Sequence, residues 1–179
     1  MLEELTPWLR DFPAQHGYAP DVLDLGCGTG LFGAAVRPHA AKLTGIDLSS
    51  GMLDKARARN VYDVLEEGEI LAWLESHPAP CDLITATDVL IYFGRLDALF
   101  MQIASHLPAH GLFAFSTESP AGMTEDFRLQ SEARYAHSPA YVERTAAAAG
   151  LTIDRRLNVV VRTERAQPVH GHLYILRRA

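Results

Sequence analysis

A chain of 179 residues is about one domain long, at ~100–200 residues per domain, which excludes two full-sized domains. Its 48% hydrophobic and 21% charged residues suffice for one sizeable core and exclude a disordered or low-complexity tail. The net charge is −6 and no run of like charges exceeds a pair, which disfavours a duplex-DNA binder held by counterion release.

The charge is uneven. Residues 1–125 carry 7 Lys and Arg against 17 Asp and Glu, whereas residues 126–179 carry 9 against 5. The C-terminal arginines read as solvated faces of edge strands, with a docking site for an acidic partner as the alternative. Cys27 and Cys81 lie far apart without a CxxC, so neither a disulfide framework nor a zinc knuckle is indicated. No apolar stretch approaches a spanning helix, and the acidic start MLEELTPWLRD does not read as a secretory signal. A cytoplasmic protein without membrane or nucleic-acid partners is expected.

In chain order, Met1–Asp11 predicts a short amphipathic helix with Leu2, Leu5 and Leu9 on one face and Trp8 beside them. Strands are predicted at Val22–Leu25, Lys42–Asp47, Tyr62–Glu67, Cys81–Thr87 and Gly111–Ser116. Helices fall between them at Leu31–Arg37, Gly51–Arg59, Glu69–Glu75 and Leu96–His106, with Ser49 and Ser50 as N-cap candidates for the second. This alternation predicts a parallel, doubly wound α/β sheet. An irregular stretch, Thr117–Ser138, follows. A helix over Pro139–Ala149 is bounded by Ser138 as N-cap and Gly150 as terminator. Leu151–Thr163 and His172–Arg177 read as an antiparallel hairpin, because the turn over Glu164–Gly171 is too short for a crossover helix.

The segment Val22-Leu23-Asp24-Leu25-Gly26-Cys27-Gly28-Thr29-Gly30 is an apolar strand entering a turn with three alternate glycines before a helix. Glycine is needed where φ must be positive or where a ligand approaches the backbone. In a dinucleotide fingerprint the third glycine follows the second by three residues; here Gly30 follows Gly28 by two, which disfavours NAD. Asp24 would repel a pyrophosphate but suits an ammonium group. Asp47 ends the next strand, where a carboxylate can accept two hydrogen bonds from a ribose diol; capping the following helix is its plainer role.

Together Val22–Gly30 and Gly45-Ile46-Asp47-Leu48-Ser49-Ser50-Gly51-Met52-Leu53 resemble class I S-adenosylmethionine (SAM)-dependent methyltransferases. The resemblance continues through Asp82–Tyr92 and His110–Ser116 and covers roughly residues 20–179. It is nearest to small bacterial ubiquinone/menaquinone-methyltransferase-like domains of the kind often fused to TPR repeats, a group that Arg134-Tyr135-Ala136-His137-Ser138-Pro139 and the closing hairpin resemble. It implies a Rossmann-like seven-stranded sheet of order 3-2-1-4-5-7-6, strand 7 antiparallel, in a single domain over 1–179 with a short N-terminal cap.

SAM is the implied cofactor. Asp24, Gly26, Cys27, Gly28 and Gly30 would hold its methionine part, Asp47 its ribose with Leu48 alongside, and Met52 its adenine, though Met52 is equally read as core. Glu69 would accept the adenine amino group while Ile70 offers a backbone N–H. Glu66 and Glu67 stand where the family's strand is normally apolar.

Asp88 would lie beside the sulfonium and the substrate. Methyl transfer needs alignment and water exclusion more than a protein nucleophile. Asp88, Tyr92, Tyr135 and His137 are candidates for a general base on the acceptor side; His137, one residue before Ser138, also reads as an orienting histidine. His170-x-His172 lacks a third ligand, so no metal is expected. Only about 20 residues precede the first strand, so a lid over SAM would be absent, shortened or completed by a partner chain or homodimer. The leading expectation is a methyltransferase for a small-molecule acceptor. The alternatives are a non-catalytic SAM-binding or interaction module and a nucleotide-dependent enzyme of another reaction type.

Overall fold

Strands and helices alternate along the first two thirds of the chain as the pattern of apolar runs predicts. The computed structural model describes residues 1–120, 122–130, 132–164 and 166–178. Its parallel strands are β1 (Asp21–Leu25), β2 (Lys42–Asp47), β3 (Val64–Glu67), β4 (Leu83–Ala86) and β5 (Leu112–Glu118). The helices are α1 (Leu2–His16), α2 (Leu31–Val36), α3 (Ser50–Arg59), α4 (Ile70–Ser76), α5 (Asp97–His106) and α6 (Pro139–Ala148), with a 3₁₀ turn at Leu90–Tyr92. β1 pairs in parallel with β2 on one side and β4 on the other. The winding therefore reverses between β1 and β4, where doubly wound sheets bind ligands.

Side chains alternate across the sheet with period two. Leu43, Leu83, Leu112 and Ile175 cluster on one face with Leu5 and Leu9 of α1. Ile46, Ile84, Phe113, Phe115 and Tyr174 cluster on the other with side chains of α4, α5 and α6.

Among the described residues the sheet has nine strands, which corrects the expected seven. Its path is β3-β2-β1-β4-β5, then β7 (Tyr135–His137) and β6 (Phe127–Leu129), with β9 (Gln167–Arg178) pairing with both β5 and β8 (Leu151–Glu164). The extra strands, β6 and β7, form an antiparallel pair within the stretch expected to be irregular. β5 runs on past Phe115, opposite which β4 stops, and so exposes a free backbone edge. Ala136 of β7 joins that edge at Glu118, supplying partners that buried backbone groups require.

β8 and β9 close the sheet, β9 lying antiparallel to β5. Their turn is tighter than the predicted Glu164–Gly171, because Ala166 takes a φ of +60° and pairing continues to Glu164↔Gln167. The hairpin thus overhangs the sheet: the pairs from Val160↔His170 to Glu164↔Gln167 lie beyond Gly171, which faces the last residue of β5. Register shifts interrupt it between Ile153 and Arg155 and between Val160 and Arg162.

Three caps form as predicted, among them Ser49, whose Oγ accepts the Met52 N–H at the start of α3. Ser138 Oγ accepts the Tyr141 N–H, and Gly150 takes a φ of +74° after α6. α1, however, runs to His16 rather than Asp11, despite Pro7 and Pro13 within it. Burial of Phe12 against Trp8, Tyr18 and His110 offsets the hydrogen bonds those prolines remove. No helix of the described residues is long and apolar enough to cross a membrane.

Candidate cofactor and acceptor site

β1 delivers the chain into a loop in which Gly26, Gly28 and Gly30 have φ of +62°, +54° and +77°, a region that favours glycine. A Cβ on Gly26 would lie 2.4 Å from Val89 Cγ2, so the loop presses on the segment that follows β4. At Gly28 the nearest heavy atom would be 4.0 Å away, which leaves an open cradle that a side chain would fill. Cys27 between them donates its N–H to Ile46 O at 2.9 Å. Burial, with the charges of Asp24 and Asp47, pushes its thiol up to about 12, so it is no nucleophile at neutral pH.

Beneath the loop the buried Asp24 carboxylate accepts hydrogen bonds from Tyr62 Oη at 2.7 Å and Thr85 Oγ1 at 3.0 Å. Sequence reasoning missed Tyr62 in this role. Cβ atoms on Gly30, Gly33 and Gly45 would come within 2.9, 2.2 and 2.7 Å of its ring or hydroxyl, so these glycines together form its slot. The available signal was the pair of unexplained glycines at 33 and 45.

Desolvation raises the Asp24 pKa from 3.8 to about 6, against the lowering effect of the Tyr62 and Thr85 hydrogen bonds. A carboxyl with a raised folded pKa holds its proton more tightly in the folded state. Its contribution to stability is therefore full below about pH 4 and is lost as pH rises through about 6. Urea unfolding of wild type and Asp24→Asn between pH 4 and 7 is expected to show this decline in wild type only. Parallel profiles would mean that Asp24 is not the group responsible.

At the end of β2 the Asp47 carboxylate accepts the Gly28 N–H through Oδ2 and the Ser49 N–H through Oδ1, each at 2.8 Å. It thereby joins the glycine loop to the start of α3. Leu48 and Met52 beside it are exposed, by 69% and 41%, which removes the core reading of Met52. Glu69, also exposed, caps α4 by accepting the Ala72 N–H at 2.8 Å, and Ile70 is the first residue of that helix. Glu66 is tolerated in β3 because the Trp73 indole N–H donates to it at 2.7 Å.

Asp88 follows β4 with a φ of +58°, donates its N–H to Ser116 Oγ at 2.9 Å and pairs with Arg162 at 3.1 Å. Tyr92 is exposed, and the Tyr135 ring packs on Gly94 two residues further on. His137 has no exposed surface. Its Nε2–H donates to the Gly94 carbonyl at 3.1 Å, and burial lowers its pKa. This corrects the expectation of an accessible base: the ring ties β7 to the loop after β4, which is an orienting role. A cavity of about 610 Å³ lies at the carboxyl end of β5 and is lined by Glu118, Met123, Gln130, Val169 and His172. Among the described residues no group of three or more His, Cys, Asp or Glu is arranged to hold a metal ion.

A doubly wound sheet with a glycine loop after its first strand and a carboxylate at the end of its second defines the class of nucleoside-binding α/β proteins. Within that class the chain belongs to the methyltransferase domain family, whose model matches residues 1–155. It is 35% identical over 98 residues to trans-aconitate 2-methyltransferase of Paracidovorax citrulli, covering 54% of this chain and 38% of that one. It is 32% identical over 127 residues to ubiquinone biosynthesis O-methyltransferase of Sodalis glossinidius, covering 65% and 49%. The chain thus spans half or less of the length of these curated relatives. In fold it is similar to the Burkholderia thailandensis 1,6-didemethyltoxoflavin-N1-methyltransferase, solved with 1,6-didemethyltoxoflavin and S-adenosylhomocysteine. There the TM-score is 0.74 at 17% identity, covering 97% of this chain and 77% of that one.

Proposed function

We propose that residues 1–179 form one SAM-dependent methyltransferase domain acting on a small-molecule acceptor in the cytoplasm, akin to the bacterial ubiquinone/menaquinone type. The observation that carries this reading is the Asp47 carboxylate held against the glycine loop. It hydrogen-bonds Gly28 at the open cradle and stands beside the exposed Leu48 and Met52. That arrangement suits a ribose on the carboxylate and an adenine on the Met52 thioether. When bound, SAM supplies a methyl group activated by its sulfonium.

The chain's own residues bind and orient. Asp24 and Tyr62 fix the loop from below, Gly26–Gly30 cradle the amino-acid portion, and Glu69 and Ile70 offer an acceptor and a donor at the start of α4. Asp88 stands at the sulfonium side, with Tyr92 and Tyr135 toward the acceptor. Of these three, Asp88 is the carboxylate and the one we assign as acceptor of a proton released by the substrate.

Isothermal titration is expected to show binding of S-adenosylhomocysteine (SAH), with a rise in melting temperature by mass action, and none of NAD at the same concentration. Binding of NAD in place of the adenosyl ligand would overturn the assignment.

One observation favours a second arrangement. Leu31, Leu48, Met52 and Tyr92 are exposed apolar side chains, while α1 packs on the sheet face and Met1, just before it, lies 3.2 Å from Thr87. This suits a partner chain or homodimer that covers the cofactor, or a SAM-binding module without catalysis. Transfer of radiolabelled methyl to a metabolite extract by the isolated protein would exclude the non-catalytic alternative.

A further inference from the structure

The overhanging tip of the β8–β9 hairpin carries Arg162 to the carboxyl ends of β4 and β5. Its Nη1 lies 2.5 Å from Glu118 Oε1 and 3.1 Å from Asp88 Oδ1, and its Nη2 lies 3.2 Å from Glu164 Oε2. The three carboxylates do not need the guanidinium equally. Glu118 is almost fully buried, so removing its counter-ion would strand a charge in the interior. Its second oxygen accepts from Gln130 at 2.6 Å, and Glu164 has a second cation in Arg134 at 2.9 Å. Asp88 is the outermost of the three, with 41% of its side chain exposed. Glu118 through Arg162, and Arg134 through Glu164, tie the hairpin tip to the rest of the fold. The contact with Asp88 is therefore the one Arg162 can exchange.

Asp88 also touches the cofactor loop through its neighbour, because Val89 fills the space against Gly26. The proposed reading, on which this step rests, sets the donor's sulfonium beside that loop, where the charge of Asp88 acts on it through space. We infer that Arg162 is a specificity-determining residue for the charge state of the cofactor: by neutralising Asp88 it restrains the site's preference for the cationic sulfonium donor over the neutral thioether product.

The restraint has a catalytic logic. Positive charge on sulfur disappears as the methyl group leaves, so a bare carboxylate beside it would stabilise the bound donor more than the transition state and slow transfer. With Arg162 bridging Asp88, Glu118 and Glu164, part of its one positive charge already offsets that carboxylate. A sulfonium must share the carboxylate or displace the guanidinium.

The test is isothermal titration of the intact protein with SAM and with SAH at low ionic strength, for wild type, Arg162→Met, Arg162→Lys and Asp88→Asn. Arg162→Met is expected to shift the SAM-to-SAH affinity ratio about tenfold toward SAM, whereas Arg162→Lys retains the wild-type ratio. Asp88→Asn keeps a residue that tolerates positive φ and leaves Arg162 unopposed at that side. It is expected to weaken SAM about tenfold and leave SAH unchanged. Arg162→Met strips Glu118 of its counter-ion, so if that variant fails to fold, Arg162→Gln, which keeps a hydrogen-bond donor for Glu118 without the charge, takes its place with the same expected shift. The inference is overturned if wild type binds both ligands and a folded, uncharged Arg162 variant keeps the wild-type ratio, or if Asp88→Asn changes neither affinity or lowers both equally. If wild type binds neither SAM nor SAH, it is the cofactor assignment that falls.

Discussion

Asp47→Ala is expected to weaken SAH by about 2–4 kcal/mol, the scale of charge-assisted hydrogen bonds lost from one site. Calorimetry would read this as an affinity loss of roughly a hundredfold. The effect should exceed the loss of ligand contacts alone, because the same carboxylate accepts N–H groups from Gly28 and Ser49. Without it the glycine loop and the start of α3 lose their tie. Asp47→Asn should be nearly as harmful, since an amide keeps one acceptor oxygen and sets its own N–H against one of those two donors. If both variants melt lower but bind normally, Asp47 is a loop brace and the ribose site lies elsewhere.

Tyr62→Ala is the second large effect. Removing the ring leaves a void where Gly30, Gly33 and Gly45 have no side chains to fill it. A loss of about 3 kcal/mol is expected, at the low end for truncating a buried aromatic, because Tyr62 is only partly buried. Tyr62→Phe keeps the ring and removes one donor from Asp24, at a cost of about 1–2 kcal/mol. That loss should shrink when melting is repeated near pH 5. Protonation of Asp24 weakens the hydrogen bond in wild type, and its pKa rises further once Tyr62 no longer stabilises the charged form. An equal loss at pH 5 and pH 7 would show that the ring alone matters.

These cases mark what was legible in the chain. The glycine loop, Asp47, and the caps at Ser49, Ser138 and Gly150 were readable because each depends on residues within a few positions of itself. Tyr62 was not, since it meets Asp24 from 38 residues away and its signature is missing side chains at Gly33 and Gly45. Arg162 reaches Asp88 across 74 residues and depends on a hairpin longer than the strand it flanks. The pair β6 and β7 was read as irregular because three-residue strands are too short to show alternation. For His137 the chain offered two readings, and the return of β7 to Gly94 buries the ring and leaves the orienting one that its place before Ser138 suggested.

β8 also bears on how the protein keeps from sticking to itself. Among the described residues it is the longest strand, and it pairs only with β9, so its other edge offers unused backbone donors and acceptors to any passing strand. Its bulges at Asp154 and Val161 break the straight ribbon that a templating strand would need. Arg155 and Arg156, tethered to Glu4 and Glu143, set bulky charged pairs along it. Straightening the strand by deleting Val161 should therefore show itself first as concentration-dependent aggregation during refolding, before any change at the cofactor loop.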